Sequence, residues 1–420
     1  MEKQRCYYVI DMKSFFASVE CAERGLDPET TNLVVADLRR GKNTVCLAVS
    51  PSMKKLGIKN RCRLFEIPKE IEYITAIPRM NKYISYAAEI YSIYLNYFSK
   101  DDIHVYSIDE CFIDVTDYLK LYKYRAVDFA KKLMKEIYEK LHIPSTCGIG
   151  TNLFLAKIAL DITAKKNPNK IGYLTEEKFK KELWYHEPLS DFWGISYGTI
   201  SRLAKFKIKN MHDIATYNED ALYKEFGINA ELLIDHSNGI ETCLMSDIKN
   251  YTSKSRSISN SQILPFNYNI NDATIVFEEM LQEGCYRLIY ENQLATNLSI
   301  LVGYGNEKRQ SSKGSIKFTS VTNLYSQILP QALSLFKKTV DPALPIRRIT
   351  YSFNNLVPDK FEQLDFFTDY KKVQKEKKLS NSIIEIKKHF GKNAILKALD
   401  FEHNATQIER NTQVGGHNSD

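Results

Sequence analysis

The amino-acid sequence predicts a multidomain protein of the α+β class. Its 420 residues exceed what one hydrophobic core usually holds. The first half alternates strand-like and helix-like segments, and residues 253–355 follow a strand–helix–strand–strand–helix–strand order. Residues 169–240, which lie between these parts, are helical and polar, with glycines that separate short helices. We therefore expect three or four modules.

Hydrophobic periodicity predicts the elements of the first half. YYVIDM, NLVVADLR and TVCLAVS are rich in β-branched and aliphatic residues and predict strands, whereas SFFASVECAER predicts an amphipathic helix. Over residues 80–98, apolar side chains recur every three or four positions, which predicts a long helix with one buried stripe. A hairpin follows, in which IHVYSI and CFIDVT flank Asp109 and Glu110. A helix over residues 125–140, the strand STCGIG and a helix over residues 152–164 complete a mixed sheet covered by helices.

The second half predicts a different sheet and a polar tail. The strand SRSISNSQIL, a helix over residues 273–291, the strands LSILVGYG and GSIKFTS, a helix over residues 323–339 and the strand IRRITYSF predict a four-stranded sheet backed by two helices. The last 65 residues are rich in Lys, Asn, Gln and Glu. We expect them to hold one helix, SNSIIEIKKHFG, and to fray at the GGHNSD end.

Composition narrows the class of protein. The 58 Lys and Arg residues against 51 Asp and Glu residues give a net charge of +7, which suits a polyanionic partner without requiring one. The eight cysteines include no Cys-x-x-Cys pair, which argues for reduced thiols in a cytoplasmic protein and against a structural zinc. We expect no cleavable signal before YYVIDM and no membrane-spanning segment.

Three carboxylates are the candidate catalytic groups. Asp11 ends the first predicted strand, and Asp109 and Glu110 lie at the bend of a hairpin that would pair beside it. Carboxylates that converge at one sheet edge suit hard divalent cations, and two such ions can stabilise the attacking and leaving oxygens of a phosphoryl transfer. Taken alone, an Asp-Glu pair in a hairpin is more often a polar turn.

Two motifs place these acids in a family. YSIDECFIDVT and DMKSFFASVE resemble the two signature motifs of Y-family DNA polymerases, and the whole chain resembles the UmuC-like branch. The resemblance implies that two Mg²⁺ ions are held by Asp11, Asp109, Glu110 and the backbone carbonyl of Met12.

The resemblance also implies a right-hand polymerase architecture. Its parts would be a palm (residues 1–13 and 80–168), fingers (14–79), a helix-hairpin-helix thumb (169–240), a linker (241–252), a βαββαβ little finger (253–355) and a C-terminal tail (356–420).

A nucleotide pocket is implied beside the metals. Phe16 matches the family's steric gate, a ring that leaves no room for a 2'-hydroxyl, and Phe15 is its aromatic neighbour; two rings at a helix start could equally be core residues. Lys54 and Lys165 match positions that hold the triphosphate in relatives. Three residues depart from several relatives: Lys54 replaces Arg, Pro51 replaces Tyr, and Lys13 replaces an acid. Lysine is a point charge, whereas arginine binds through two N–H groups, so we expect Lys54 to hold the triphosphate less tightly than arginine would.

DNA contacts are expected from the helical region and the second sheet. Gly194 and Gly198 match the family's helix-hairpin-helix, in which backbone amides approach a phosphate. Residues 251–350 carry eleven Lys and Arg against seven Asp and Glu. The residues there that resemble phosphate-contacting segments are Lys254, Arg256, Ser257, Arg347 and Arg348. Basic strand ends can also serve only to block edge pairing.

One short motif predicts a protein partner. Gln363, Leu364, Asp365, Phe366 and Phe367 resemble the pentapeptide that binds the bacterial sliding clamp. Such a peptide orders around a few buried anchors. A Leu-x-Phe-Phe sequence could instead pack on its own domain.

The sequence thus favours a template-directed DNA polymerase that uses dNTPs and primer-template DNA, bypasses lesions with low fidelity during the SOS response to DNA damage, and has no proofreading nuclease. A non-catalytic DNA-bound scaffold is an alternative, but the presence of all three acids and Phe16 disfavours it. A nucleotide cyclase could share the palm-like sheet, but the thumb-like and little-finger-like regions have no use in a cyclase.

Overall fold

The computed structural model describes residues 4–41, 43–305, 310–360 and 369–420. The chain forms two compact units that divide between Tyr251 and Thr252. Each unit has its own hydrophobic core.

The first unit is built around a five-stranded mixed sheet. Its strands are β1 (Tyr7–Met12), β2 (Leu33–Val35), β3 (Ala48–Val49), β4 (Ile74–Ala76), β5 (Ile103–Val105), β6 (Glu110–Asp114), β7 (Ser145–Gly150) and β8 (Ile171–Leu174). The central sheet has the order β5-β6-β1-β7-β8, with all pairs antiparallel except β7 with β8. A smaller sheet has the order β3-β2-β4.

The helices of the first unit cover the central sheet and fill the region that follows it. They are α1 (Phe15–Ala22), α2 (Pro51–Lys55), α3 (Met80–Leu95), α4 (Tyr118–Leu121), α5 (Ala126–Leu141), α6 (Leu153–Ile158), α7 (Glu176–Glu182), α8 (Tyr197–Leu203), α9 (Met211–Ala215), α10 (Glu219–Phe226), α11 (Asn229–Ser237) and α12 (Met245–Asn250). Helix α6 continues into a π-helical turn, Ala159–Ala164.

Alternation of side chains along β1 explains why it is central. Tyr8 and Ile10 belong to a core that includes residues of α3 and α5. Tyr7 and Val9 point to the other face, where they pack with Leu153 of α6. Because both faces are covered, the strand is apolar throughout rather than alternating. The sheet, α3, α5 and α6 confirm the predicted layered arrangement.

Close approach of α6 and its π-helical turn to the sheet depends on glycine. A Cβ atom at Gly148 would lie 2.1 Å from the carbonyl oxygen of Ala156, and one at Gly172 would lie 2.3 Å from that of Ala159. Since real Cβ atoms do not approach backbone so closely, these two positions fix how near the helical layer can come to β7 and β8.

The second unit confirms the predicted βαββαβ order. Its strands are β9 (Ile258–Tyr268), β10 (Gln293–Tyr304), β11 (Ser312–Thr322), β12 (Ile346–Asn354), β13 (Val357–Pro358), β14 (Gln413–Val414) and β15 (His417–Asn418), and its helices are α13 (Ile270–Tyr290), α14 (Tyr325–Thr339), α15 (Tyr370–Phe390) and α16 (Gln407–Arg410). The main sheet has the order β11-β10-β12-β9. Apolar residues of α13 and α14 join its buried face in one core.

The expectation of a tail with one helix and a frayed end is wrong. Beyond the 21-residue α15, the chain forms α16 and the β14-β15 hairpin. The carboxylate of Glu279 on α13, only 2% exposed, accepts hydrogen bonds from the backbone N–H groups of Thr406 (2.9 Å) and Gln407 (3.1 Å). The partner lies more than 120 residues earlier in the chain, so local polarity did not reveal it.

Two smaller expectations also need correction. TVCLAVS contributes only the two-residue strand β3. Lys254, Arg256 and Ser257 precede β9 instead of opening it, and all three are exposed. Among the described residues, no helix is both long and apolar enough to cross a membrane.

Candidate active site

The sheet brings the three predicted acids together. Asp11 on β1 is the direct cross-strand partner of Glu110 on β6. The backbone N–H of Met12 donates to the carbonyl oxygen of Asp109 at 2.9 Å. The Asp109 carboxylate accepts a 2.6 Å hydrogen bond from the Ser107 hydroxyl, which orients it within the turn. Residues nearly 100 positions apart in sequence therefore meet at one end of two adjacent strands.

The electrostatics of these acids suit a divalent cation. Burial, together with the nearby carboxylates of Asp109 and Glu110, raises the pKa of Asp11 to about 7. Burial likewise raises the pKa of Glu110, although Lys157 opposes this shift. Carboxylates that repel one another in a partly dry site are stabilised most by a multivalent cation that prefers oxygen ligands. Asp11, Asp109 and Glu110 thus have the right chemistry to hold Mg²⁺.

Lys157, which the sequence analysis missed, pairs with one of these acids. Its ammonium nitrogen lies 2.8 Å from Oε1 and 2.9 Å from Oε2 of Glu110, and only the second contact has hydrogen-bond geometry. The same nitrogen lies 3.2 Å from Oδ2 of Asp161. Within the described ranges, no three Asp, Glu, His or Cys side chains already form a metal cage; Glu110 is instead paired with Lys157. The spacing of four residues between Lys157 and Asp161 in AKIALD could have indicated this ion pair from the sequence.

The two adjacent rings occupy different environments. Phe15 is 2% exposed and belongs to the core of the first unit, so its core interpretation is confirmed. Phe16 is only partly buried and stacks on Tyr83, with ring centroids 4.6 Å apart. Ser14, immediately before them, has φ 50° and ψ 42°. This left-handed conformation costs a serine roughly 1 to 2 kcal/mol and lets α1 begin directly after the acid-bearing strand.

A buried charge network supports the ring behind Phe16. The Tyr83 hydroxyl donates to Oε1 of Glu20 at 2.8 Å, and Arg79 donates to both oxygens of Glu20 at 3.0 and 2.9 Å. Arg24 also pairs with Glu20, which is fully buried. Burial alone would raise the pKa of Glu20, but hydrogen bonds from the two arginines and Tyr83 hold it below its ordinary value. Phe16 therefore rests on a ring held in place by a fixed ion cluster.

Three lysines interact electrostatically with one another near the acids, and one of them, Lys54, also interacts with Asp11 and Asp109. Partial desolvation lowers the pKa of Lys54; the Asp11 carboxylate opposes this, and the ammonium groups of Lys13 and Lys165 add to it. Lys13 pairs at 2.5 Å with Glu29, which also holds Lys55 at 2.8 Å. Lys54 thus lies within electrostatic reach of Asp11, and Lys165 lies within electrostatic reach of Lys54. Lys13 is an additional cation in the same place.

The departure at Pro51 has a local structural reason. Ser50 caps α2, its hydroxyl accepting from the backbone N–H of Met53 at 3.3 Å, and Pro51 is the first helical residue. Proline suits this position because its fixed φ matches the helix and its missing N–H would have no partner within the helix. Pro51 therefore sets the start of the helix that carries Lys54.

Gly194 and Gly198 lie around the start of α8. Gly194 has φ +85°, which favours glycine, whereas Gly198 lies within the first turn of α8. A Cβ atom at Gly194 would meet no atom within 4 Å. The backbone here is open enough for close approach by a ligand.

The open face of the main sheet in the second unit is polar and basic. On β10 and β12, Leu298, Ile300, Ile349 and Tyr351 point toward the helices, so the alternate residues form the other face. Those residues are Ser259, Ser261, Ile263, Asn297, Ser299, Leu301, Gly303, Lys313, Ser315, Lys317, Arg348, Thr350, Ser352 and Asn354.

Hydrogen bonds between strands orient the polar groups of this face. Arg348 donates through Nε to the Ser261 hydroxyl at 3.2 Å, and Ser261 shares a 2.7 Å hydrogen bond with Thr350. The described residues that form this face include no Asp or Glu. Lys313 and Lys317 are further basic residues that the sequence analysis did not single out. The partner motif at residues 363–367 lies outside the described residues.

Comparisons with known proteins identify the family. Residues 10–161 match the impB/mucB/samB family, and residues 255–366 match the C-terminal domain of that family. The chain is 30% identical to UvrX of Bacillus subtilis (strain 168), provisionally assigned to UV-damage repair, over 98% of this chain and 97% of that protein. It is also 30% identical to DNA polymerase IV 2 of the same organism, over 99% of this chain and 100% of that protein.

A solved structure supports the same assignment at the level of fold. A Y-family DNA polymerase chimera built from Dbh and Dpo4 superposes with a TM-score of 0.64 and 21% identity, over 84% of this chain and 99% of that chain. Together with the family matches and the full-length relatives, this shows that the chain belongs to the impB/mucB/samB family of Y-family translesion DNA polymerases and is a DNA-directed DNA polymerase.

Proposed function

We propose that this polymerase extends a primer opposite damaged template bases by two-metal nucleotidyl transfer from dNTPs, with low fidelity and without proofreading. The observation that carries the proposal is the cross-strand pairing of Asp11 with Glu110, with Asp109 bonded to the neighbouring residue of β1. Three carboxylates that lie together are what a two-ion site for one reacting phosphate would require.

The acids and the Met12 carbonyl would hold two Mg²⁺ ions. When bound, such ions neutralise phosphate charge and favour ionisation of the attacking primer hydroxyl. The protein's own part is to position the substrates. Phe16, backed by Tyr83, is suited to lie under the deoxyribose and exclude a 2'-hydroxyl. Lys54 and Lys165 would supply the fixed positive charge that a triphosphate requires.

The right-hand architecture is part of the same proposal. Residues 1–13 and 80–168 would be the palm and 14–79 the fingers, followed by the thumb (169–240), the linker (241–252), the little finger (253–355) and the tail (356–420). The lack of a proofreading nuclease stays a prediction. Membership of the UmuC-like branch and an SOS role stay predictions.

Primer extension tests the proposal directly. The purified protein is given a labelled primer on an undamaged template and on templates with an abasic site or a thymine dimer, with Mg²⁺ or Mn²⁺. We expect extension on all three templates, frequent misincorporation in sequenced products, and no shortening of a mismatched primer. Absence of extension with either metal would reject the catalytic proposal. Extension that stops before every lesion would reject only the bypass function.

We propose that the open face of the second unit lies along the DNA backbone and contacts its phosphates. Arg348 lies on this face, and Arg347 lies next to it where the register of β12 shifts between Ile346 and Arg348. Each lost phosphate contact lowers the salt slope of DNA affinity by about 0.9, so replacing both arginines with alanine should lower it by about 1.8. The matched control is the double replacement of Lys337 and Lys338, an exposed basic pair on α14 at the other face. Fluorescence anisotropy at several salt concentrations measures both slopes. Equal slopes for the wild type and the arginine variant would remove these contacts.

The sliding clamp is the proposed protein partner. Replacing Phe366 and Phe367 with alanine should remove the two aromatic anchors and weaken clamp binding by at least about tenfold, because buried aromatic anchors dominate such interfaces. Replacing Tyr370 and Phe390, exposed aromatics of α15, is the matched control. Surface plasmon resonance on immobilised clamp measures the affinities. Unchanged binding by the Phe366 and Phe367 variant would exclude this motif.

A further inference from the structure

We propose that Lys157 is a positioning residue that acts as a resident counter-ion of Glu110, competes with a divalent cation for that carboxylate, and is drawn away by Asp161. The inference rests on the proposed function, because it assigns Glu110 to the metal site. Neither Lys157 nor Asp161 was among the residues that the family motifs indicated.

Burial of Lys157 shows that it serves the interior of the site. Its side chain is 8% exposed and that of Glu110 is 9% exposed, with the nitrogen 2.8 Å from the nearer oxygen. A buried ammonium requires partners, because an unpaired buried charge is strongly unfavourable. Lys157 therefore cannot be treated as a surface lysine that happens to lie near an acid.

Lys157 has a second acceptor on its more open side. Asp161 lies 3.2 Å away and is 26% exposed, and Asp161 in turn lies 3.9 Å from the ammonium of Lys165. Glu110, Lys157, Asp161 and Lys165 thus form a row of alternating charge. The row runs from a proposed metal ligand to a proposed triphosphate ligand.

The local backbone and a ring hold this row in place. Asp161 lies in the π-helical turn Ala159–Ala164, a rare conformation that is frequent at functional sites. Gly172 allows that turn to approach β8, since a Cβ there would lie 2.3 Å from the carbonyl oxygen of Ala159. The ring of Tyr106 lies 5.8 Å from the Lys157 nitrogen, close enough for a cation–π interaction.

This geometry gives Lys157 a defined effect on metal affinity. Its positive charge offsets one of the three acids, and its nitrogen lies within 2.9 Å of both oxygens that a cation would need. A divalent cation that binds Glu110 must therefore displace the Lys157 ammonium. The displaced ammonium keeps Asp161 as a partner, because their charged atoms already lie 3.2 Å apart. Removing Lys157 should tighten cation binding, whereas neutralising Asp161 should weaken it, because Lys157 then has only Glu110.

Binding of Mn²⁺ to the full-length protein, followed by electron paramagnetic resonance without nucleotide or DNA, tests the inference. Relative to the wild type, we expect Lys157→Met to bind Mn²⁺ at least about tenfold more tightly, as expected for removal of a close like charge in a partly dry site. We expect Asp161→Asn to bind it several-fold more weakly. Lys135→Met removes an exposed lysine that pairs with Glu139 four residues later, and should leave Mn²⁺ affinity unchanged.

Opposite signs for the two variants distinguish this role from a merely structural one. Unchanged or weaker Mn²⁺ binding by Lys157→Met would overturn the inference, as would unchanged or tighter binding by Asp161→Asn. Asp161 is part exposed, so its variant provides the test even where Lys157→Met does not fold. A separate variant, Asp109→Ala, tests the proposed metal site itself. If that site does not exist, Asp109→Ala will bind Mn²⁺ as tightly as the wild type does.

Discussion

Asp109→Ala and Glu110→Ala are each expected to lower primer extension by at least about 10³-fold, a loss comparable to that from removing a principal electrostatic group of an active site. Both residues lie beside Asp11 at the end of two paired strands. Single-turnover extension with saturating dNTP measures the rate of chemistry. DNA affinity, measured in parallel, should change little because the proposed DNA-binding residues lie elsewhere.

The matched control for these variants is Asp101→Ala. Asp101 is an exposed acid in the turn before β5, in the same hairpin region but outside the acid cluster. Its variant should extend primers at the rate of the wild type. Retention of more than about a tenth of the wild-type rate by both Asp109→Ala and Glu110→Ala would contradict the assignment of these acids as metal ligands.

Phe16→Ala is expected to retain deoxynucleotide incorporation and to incorporate ribonucleotides roughly 10- to 200-fold more efficiently, the range that a single steric contact usually provides. The ring is partly buried and stacked on Tyr83, which is tied to the buried Glu20. It therefore cannot easily move aside for a 2'-hydroxyl. The ratio of kcat/KM for a dNTP to that for the matching rNTP measures the effect.

Phe15→Leu is the control for this experiment. Phe15 lies in the core, so its replacement should lower the Tm and leave sugar discrimination unchanged. If Phe16→Ala discriminates between dNTP and rNTP as well as the wild type does, Phe16 is not the gate. If Phe15→Leu alone relaxes discrimination, the roles of the two rings are reversed.

Strong local patterns explain why much of the site could be predicted. YYVIDM became β1 with the expected bounds, and the hairpin around Asp109 and Glu110 became β5 and β6. Alternation and turn chemistry act over a few residues, so they can be read from the sequence. The meeting of Asp11 with Glu110 then followed from strand pairing.

Other parts of the site depend on contacts between distant segments. Lys157 lies 47 residues from Glu110, and Glu20 lies 59 residues from Arg79. Buried ion pairs of this kind leave no periodic signal, because each partner alone resembles an ordinary surface charge. The folded tail was missed for the same reason: its polar composition indicated fraying, and the carboxylate that binds it lies on α13.

The folded tail has a consequence for the segment that carries Phe366 and Phe367. The described residues on either side of it, Lys360 and Asp369, both belong to the second unit, and the chain continues into α15 and α16 on that unit. The motif is therefore followed by folded chain of the second unit and does not precede a frayed end. Deleting everything after the motif would also strip a layer from the second unit, so point substitutions are the cleaner probe of recruitment.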